Sequence, residues 1–274
     1  MLSDIKLAVL GAGNIGGALI VGLLETGQVS RDSIRATVLD EAEAADATSR
    51  LNIPVVTTRE NAEVVSQANV VVVSVKPNQV PEVIAGIRDA VGPHHILATI
   101  AAAVPLAVVE RALGKPAPVF RVMPNLAMTV RESATAICAN DTATDEQRAI
   151  VEEIFQTVGS VTFVPEGMMH AVTALSGSGP AFVCTVLEGL IAGAVKVGLP
   201  HAVATDLAEQ MVLGSAKRLR EDGTPPAVLR DRVTTPGGTT IAGLHELEKG
   251  RLRASLMSAV EAAAARSREI EEKL

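Results

Sequence analysis

The sequence predicts an α/β chain in which an N-terminal doubly wound domain, residues 1–164, precedes an all-α C-terminal domain, residues 165–274. Three observations predict it. Through residue 164, short β-branched runs alternate with helical patterns, the rhythm of successive βα units. Runs such as VVVVSV at 70–75 show no in–out alternation, as expected when helices cover both faces of a parallel sheet. Beyond Pro165–Glu166 the β-branched runs stop, and segments rich in Ala, Gly and Leu take over.

Taken in order, strands are expected at Lys6–Leu10, Arg35–Leu39, Val70–Val75, Ile96–Ile100, Val119–Val122, Ala134–Cys138 and Val161–Val164. Helical patterns over Gly16–Thr26, Glu41–Leu51 and Asp145–Val158 separate some of them. In the second half, helices are expected over Gly179–Val197, His201–Glu221, Pro226–Val233, Thr239–Lys249 and Leu252–Lys273. Gly189, Gly193 and Gly198 would let helices approach closely. That surface is either intramolecular core or a dimer interface, because five apolar helices with few aromatics make a thin core alone.

Composition excludes several classes of function. The chain has 274 residues, 48% of them hydrophobic, which suits a folded protein with a sizeable core. It has four Phe and no Trp or Tyr, so stacking platforms for nucleic-acid bases are scarce, and a net charge of -7 opposes polyanion binding. Any anionic ligand must therefore be met locally, by backbone donors and a few cations. Cys138 and Cys184 have no metal-ligand spacing and suit two small buried thiols in a reduced compartment. No cleavable leader is apparent, and the stretch Ala181–Val197, broken by Glu188 and Lys196, falls short of a membrane span. A cytoplasmic location is expected, without nucleic-acid or membrane partners.

The sharpest local motif is Gly11-Ala12-Gly13-Asn14-Ile15-Gly16, after an apolar strand and before a helix. Gly11 permits the tight turn, Gly13 admits a pyrophosphate to the backbone, and Gly16 packs helix on strand. The helix N-terminus then offers amides to the phosphates, the dinucleotide-binding device of the Rossmann domain. Asp40, about 20 residues further on, suits a ribose 2′-hydroxyl and repels a 2′-phosphate, which favours NADH over NADPH. The alternative is that Asp40 simply caps the helix beginning at Glu41. Lys76-Pro77 follows the most buried-looking strand, at the carboxyl edge where ligands bind; a solvated lysine is the plain alternative there.

Two loops in the second half are more discriminating. Thr235-Pro236-Gly237-Gly238-Thr239-Thr240 opens onto a helix, and its glycines can turn successive amides inward to hold a carboxylate. The bland alternative is a turn with Thr239 or Thr240 as helix cap. Ser176–Pro180 reads alone as a Gly/Ser turn starting a long helix, with Ser178 as its N-cap.

On Thr173–Ala181, Thr235–Ile241, Val75-Lys76-Pro77, Met123-Pro124-Asn125 and Gly198-Leu199-Pro200, the chain resembles the pyrroline-5-carboxylate reductase family over essentially its full length. The resemblance implies reduction of the C=N bond of 1-pyrroline-5-carboxylate by NADPH or NADH, giving L-proline. It implies that Thr239 and Thr240 hold the substrate carboxylate through their amides, within a loop that includes Thr235, Gly237 and Gly238. The Thr240 hydroxyl would face the ring nitrogen as the catalytic group, and Ser176 and Ser178 would lie close to the substrate. For the cofactor it implies Asn61 on the adenosine side. Ser74, Val75, Lys76, Pro77 and Ala102 would flank the ribose and nicotinamide, with Asn125 near the nicotinamide. It further implies a homodimer through the helical domain, with a ring of dimers as a larger assembly.

Several positions depart from the family pattern. Leu126-Ala127 stands for Thr-Pro, Ala103 for Gly, Thr235 for Ser, Phe182 near a usual Tyr, and His170 for a frequent acid. Leu39-Asp40 stands where many members carry Asn-Arg for a 2′-phosphate, which again favours NADH.

A protonated imine is already a strong electrophile, so the expected chemistry needs positioning and exclusion of water, with no metal site or triad. His245-Glu246 lacks the second histidine of a zinc motif. His94-His95 and His201 are expected at the surface, and Glu271-Glu272 on a solvated helix face. The competing functions are another imine reductase, a β-hydroxyacid dehydrogenase, and a non-catalytic nicotinamide-binding sensor. A hydroxyacid enzyme would want a lysine base early in the helical half, and 168–195 has none.

Overall fold

The computed structural model describes residues 2–274. The chain packs as two units, one reaching to Ser178 and including Ala262–Leu274, the other formed by Gly179–Glu261.

The first unit carries strands β1 (Leu7–Leu10), β2 (Ile34–Val38), β3 (Val55–Thr57), β4 (Val70–Val73), β5 (Ile96–Thr99), β6 (Val119–Met123), β7 (Ser133–Ala139) and β8 (Gly159–Phe163). They form one sheet in the order β3-β2-β1-β4-β5-β6-β7-β8. Helices α1 (Asn14–Glu25), α2 (Glu41–Leu51), α3 (Asn61–Ser66), α4 (Val80–Ile87), α5 (Leu106–Leu113) and α6 (Asp145–Gln156) connect them. The apolar strand runs have a direct cause. Leu7 and Val9 of β1, with Val70 and Val72 of β4, point into one core shared with Leu19, Leu23 and Ile154. Ala8, Leu10, Val71 and Val73 point into the other, shared with Ile84, Ile87 and Val109. Every position in these strands is buried, so no alternation can show.

The first six strands are parallel, but β7 pairs antiparallel with β6, with Phe120 opposite Ala139 and Met123 opposite Ala136. The link between them is too short for a helical crossover and holds one 3-10 element, Leu126–Val130, so the chain returns beside itself. After α6, β8 joins β7 in parallel. The short strand β3 and helices α3 to α5 escape the sequence pattern. β3 has three residues after a proline, α3 has six, and α4 carries Pro81 in its first turn.

The strands stop at Phe163, and α7 (Met169–Val172) follows. Ser176–Pro180 is not the helix start expected from sequence. Thr173–Gly177 is a π-helical turn inside a continuous helix, and Ser178 has helical dihedrals, so it caps nothing. The hydroxyls of Thr173 and Ser176 instead donate back to the Met169 and Val172 carbonyls, satisfying groups the widened turn disturbs.

The second unit contains α8 (Gly179–Lys196), α9 (His201–Asp222), α10 (Pro226–Arg232), α11 (Thr239–Lys249) and the start of α12 (Leu252–Glu271). No residue of α8 is buried. Cys184 is therefore exposed, against expectation, whereas Cys138 on β7 is buried. Because the π-turn joins α7 to α8, the helix over Glu166–Lys196 is also long and apolar enough to cross a membrane by length and composition, longer than the sequence suggested. His95 departs from expectation too. It is 1% exposed, with its ring nitrogens bonded to Gly92 and to the Val65 carbonyl.

Candidate active site

The strand order reverses at β1, which has β2 on one side and β4 on the other, and ligands bind such sheets at the carboxyl edge of this switch point. Leu10 ends β1 there. The next turn is fixed by the Gly11 and Ala12 amides, which both donate to the Thr37 carbonyl at 3.0 and 2.9 Å. Gly11 has φ +100°, and a β-carbon on it would fall 2.6 Å from the Ser74 carbonyl oxygen. A β-carbon on Gly16 would overlap the Gly11 carbonyl oxygen, whereas one on Gly13 would meet nothing within 4 Å. The turn is thus closed toward the protein and open toward a ligand at Gly13.

Helix α1 has Gly13 as its N-cap, without a side-chain cap, and its first backbone bond runs from Gly17 to Gly13. The amides of Asn14, Ile15 and Gly16 are left without an intrahelical acceptor, which suits a pyrophosphate.

Ser74 and Val75 are brought against this loop, and the Ser74 amide donates to the Leu10 carbonyl at 2.8 Å. Lys76 is exposed beyond them, and Pro77 opens a 3-10 turn into α4. Asp40 follows β2 and does cap α2, accepting the Glu43 amide at 2.9 Å through Oδ1. Its other carboxylate oxygen is not used by the cap. Asn61 starts α3 with a buried Oδ1 that has no hydrogen-bond partner among the described residues. An orphaned buried acceptor costs free energy unless a ligand or water supplies a donor, so this atom fits a nucleotide. Ala102 lies after β5, and the next residue, Ala103, is held at φ +60°, the left-handed conformation that explains why glycine is usual there.

Asn125, after β6, is engaged through both side-chain polar atoms. Its Oδ1 accepts the Ala127 amide and its Nδ2 donates to the Ser176 carbonyl, both at 3.1 Å. It therefore ties the π-turn to the sheet edge. Gly177 completes the tie, because a β-carbon there would press on the methyl end of Met123. Ser178 sits one turn on, its hydroxyl donating to the Thr173 carbonyl at 3.3 Å.

In the second unit, Thr235–Gly238 is a tight turn closed by the Gly238 amide donating to the Thr235 carbonyl at 3.1 Å. Pro236 and Gly237, the latter at φ +69°, occupy its two central positions, as in a type II turn. Gly238 is the N-cap of α11, and no side chain caps that helix. Neither Thr239 nor Thr240 caps it, contrary to the bland alternative. The amides of Thr239, Thr240 and Ile241 are left for a carboxylate, at a helix end with no acidic residue in its first turn.

Sequence reasoning missed one group entirely. Arg121 on β6 is 3% exposed, with Glu166 at 3.4 Å and Glu271 at 3.3 Å. Glu166 also accepts the Leu106 amide at 2.7 Å. His170 of α7 reaches Glu271 at 3.3 Å and Ser267 at 3.0 Å. Glu271 is therefore part of a partly buried ion cluster and does not lie on a solvated face. The signal was an arginine amid apolar strand residues, which requires a buried partner. Burial, with Glu166 adding to it, pushes the neighbouring Cys138 thiol up to about 11. Glu271→Ala is expected to cost about 2 kcal/mol of stability in urea unfolding, since Arg121 keeps only Glu166, while Glu271→Gln costs less.

Comparison with known proteins adds three findings. Residues 166–270 match the family model described as pyrroline-5-carboxylate reductase dimerisation, and residues 6–103 match one described as NADP oxidoreductase, coenzyme F420-dependent. The chain is 41% identical to a pyrroline-5-carboxylate reductase of Methanosarcina acetivorans, over 98% of each chain. Among solved structures it is similar to a pyrroline-5-carboxylate reductase from Coxiella burnetii, with TM-score 0.90 and 33% identity over 97% of this chain and 98% of that one. It is also similar to a Plasmodium falciparum pyrroline carboxylate reductase with NADP bound, with TM-score 0.88 and 27% identity over 98% and 99%.

Proposed function

The chain belongs to the pyrroline-5-carboxylate reductase family, and on that premise we propose that it reduces 1-pyrroline-5-carboxylate to L-proline with NAD(P)H. One observation carries this furthest. Two helices, α1 and α11, begin on glycine N-caps with no side chain over their first amides, and the two ligands of this reaction are both anions. Residues 1–164 act as the dinucleotide-binding domain, and residues 165–274 as the substrate-binding and dimerisation domain.

Reduced nicotinamide, when bound, supplies the hydride that the imine carbon accepts. Gly11, Gly13, Asn14, Ile15 and Gly16 hold the dinucleotide phosphates, with Asp40 and Asn61 toward the adenosine. Ser74–Pro77, Ala102 and Asn125 lie toward the ribose and nicotinamide. The amides of Thr239 and Thr240 hold the substrate carboxylate, and the Pro-Gly-Gly turn keeps them oriented before substrate arrives. The Thr240 hydroxyl orients the ring nitrogen and is the chain's candidate proton donor to it. Ser176 and Ser178 are the further substrate-binding residues of this reading. Chiral analysis of the product tests the activity: L-proline formed from the racemic imine supports it, and consumption of a hydroxyacid in place of the imine would overturn it.

Asp40 favours NADH, because its carboxylate repels a 2′-phosphate. Asp40→Asn keeps a capping side chain and removes only the charge. It is expected to shift the ratio of kcat/KM values by about ten-fold toward NADPH, with little change in thermal stability. Asp40→Ala loses the cap as well and is expected to cost about 1 kcal/mol.

The functional form is a homodimer through the helical half, with a ring of dimers as the larger assembly. Beyond their own helix backbone, Gly189 and Gly193 have nothing of this chain within 4 Å of where a β-carbon would stand, and Leu207 and Leu213 are 56% and 60% exposed. A partner's helices would cover these positions, and the apolar length of Glu166–Lys196 is explained in the same way.

A further inference from the structure

Arg50, near the end of α2, has no role in anything derived above. Its Nη2 donates to the Ala12 carbonyl at 3.4 Å, and its Nη1 lies 3.1 Å from where a β-carbon on Gly17 would be. The guanidinium therefore lies against Gly17 in the first turns of α1 and on the carbonyl of Ala12 in the glycine loop. Two surface grooves meet at this side chain. One runs over Ala12, Gly13, Val38 and Asp46, the other beside Asn14, Gly17 and Ala18. Among the described residues, the Ala12 carbonyl is its one hydrogen-bond acceptor. Asp46 stands 3.9 Å from Nε, a loose i,i+4 ion pair on a half-exposed side chain.

A guanidinium carries five N–H donors; one of Arg50's goes to the Ala12 carbonyl and Nε faces Asp46, so three remain for a ligand. The groove above Gly13 also carries Glu43 and Asp46, in a chain of net charge -7. A dianionic pyrophosphate entering there meets two carboxylates, and helix amides alone supply only partial positive charge. Arg50 is the full cation at that point, and a planar fork matches phosphate oxygens better than a point charge does.

We infer that Arg50 is a cofactor-binding residue that neutralises the pyrophosphate of the dinucleotide from the α2 side of the glycine loop. This rests on the glycine loop being the cofactor site. The role is independent of the ribose 2′ position, so Arg50 serves NADH and NADPH alike.

The test is direct binding to the full-length protein without substrate, for wild type, Arg50→Gln and Arg50→Lys. NADH and NADPH are followed by nicotinamide fluorescence, ADP-ribose and adenosine by calorimetry. Arg50→Gln is expected to weaken NADH, NADPH and ADP-ribose by a common factor of about ten, corresponding to one charge-assisted contact, and to leave adenosine within about two-fold. Arg50→Lys should recover part of the loss, and raising salt should weaken wild type more than Arg50→Gln. Unchanged dinucleotide affinity in Arg50→Gln would overturn the inference. Equal weakening of adenosine and ADP-ribose would overturn it too, since that reports a structural tie between α1 and α2. Wild-type protein that binds no dinucleotide would overturn the cofactor site itself, and the role of Arg50 with it.

Discussion

Gly238→Ala is expected to lower kcat/KM for the imine by about a hundred-fold while leaving dinucleotide affinity within about two-fold. The added β-carbon would overlap the Thr235 hydroxyl and stand 3.2 Å from the Thr235 carbonyl, which closes the turn. The Thr235 hydroxyl can rotate away, but the Thr235 carbonyl must give by a few tenths of an ångström. That shift carries through Gly238 to the amides of Thr239 and Thr240, where misplacement of about 1 Å costs on the order of a hundred-fold. Because the turn is exposed, the fold should survive, with the melting temperature lowered by a few degrees at most. Steady-state kinetics with imine varied at saturating NADH, beside NADH titration of the free protein, separates the two effects. Equal loss of both affinities would mean that the loop is structural.

The companion substitution acts on the other unit. Gly16→Ala places a β-carbon on the Gly11 carbonyl oxygen, 3.1 Å from the Ser74 hydroxyl and 3.1 Å from a Val9 methyl. The Ser74 hydroxyl can rotate, but the Gly11 carbonyl cannot yield without moving the loop between β1 and α1, which is anchored on the buried strands β1 and β4. Destabilisation of about 2–3 kcal/mol is expected from the overpacking, with loss of measurable NADH binding. Gly13→Ala is the informative control. Its β-carbon meets nothing in the protein, so stability should be retained and only dinucleotide affinity should fall. A variant at 13 that binds NADH normally would mean that no ligand approaches the backbone there.

These contrasts show what was legible in the sequence. Gly11, Gly13 and Gly16 could be assigned distinct roles because a β-carbon at each meets a different fate, and the spacing around the strand–helix junction encodes that. The turn of the second loop was legible from Pro-Gly-Gly before a helix, whereas its substrate role came from the family resemblance. Strands buried on both faces were legible as unbroken valine runs, although the reversal of β7 was not, since a strand's direction depends on the length of its connection.

The missed features share one physical origin: they are set by contacts between residues distant in sequence. Arg121 meets Glu271 across 150 positions, and no local pattern marks Glu271 as anything but a helix surface residue. Arg50 looks like one more charge on an amphipathic helix until its head is seen beside Ala12. Ser176–Pro180 reads as a helix start, because Ser and Gly in a row favour a cap locally. There the continuous helix and the Asn125 bond to Ser176 overrode the local preference. Cys184 reads as buried for a related reason, since burial inferred from an apolar helix assumes a partner within the same chain, and it is exposed.

The most direct measurement is oxidation of reduced nicotinamide by purified protein with 1-pyrroline-5-carboxylate, followed by near-ultraviolet absorbance with NADH and NADPH in parallel. The predicted result is rapid, imine-dependent loss of absorbance with formation of L-proline, faster with NADH. The contradicting result is demonstrable dinucleotide binding with no imine turnover from either cofactor.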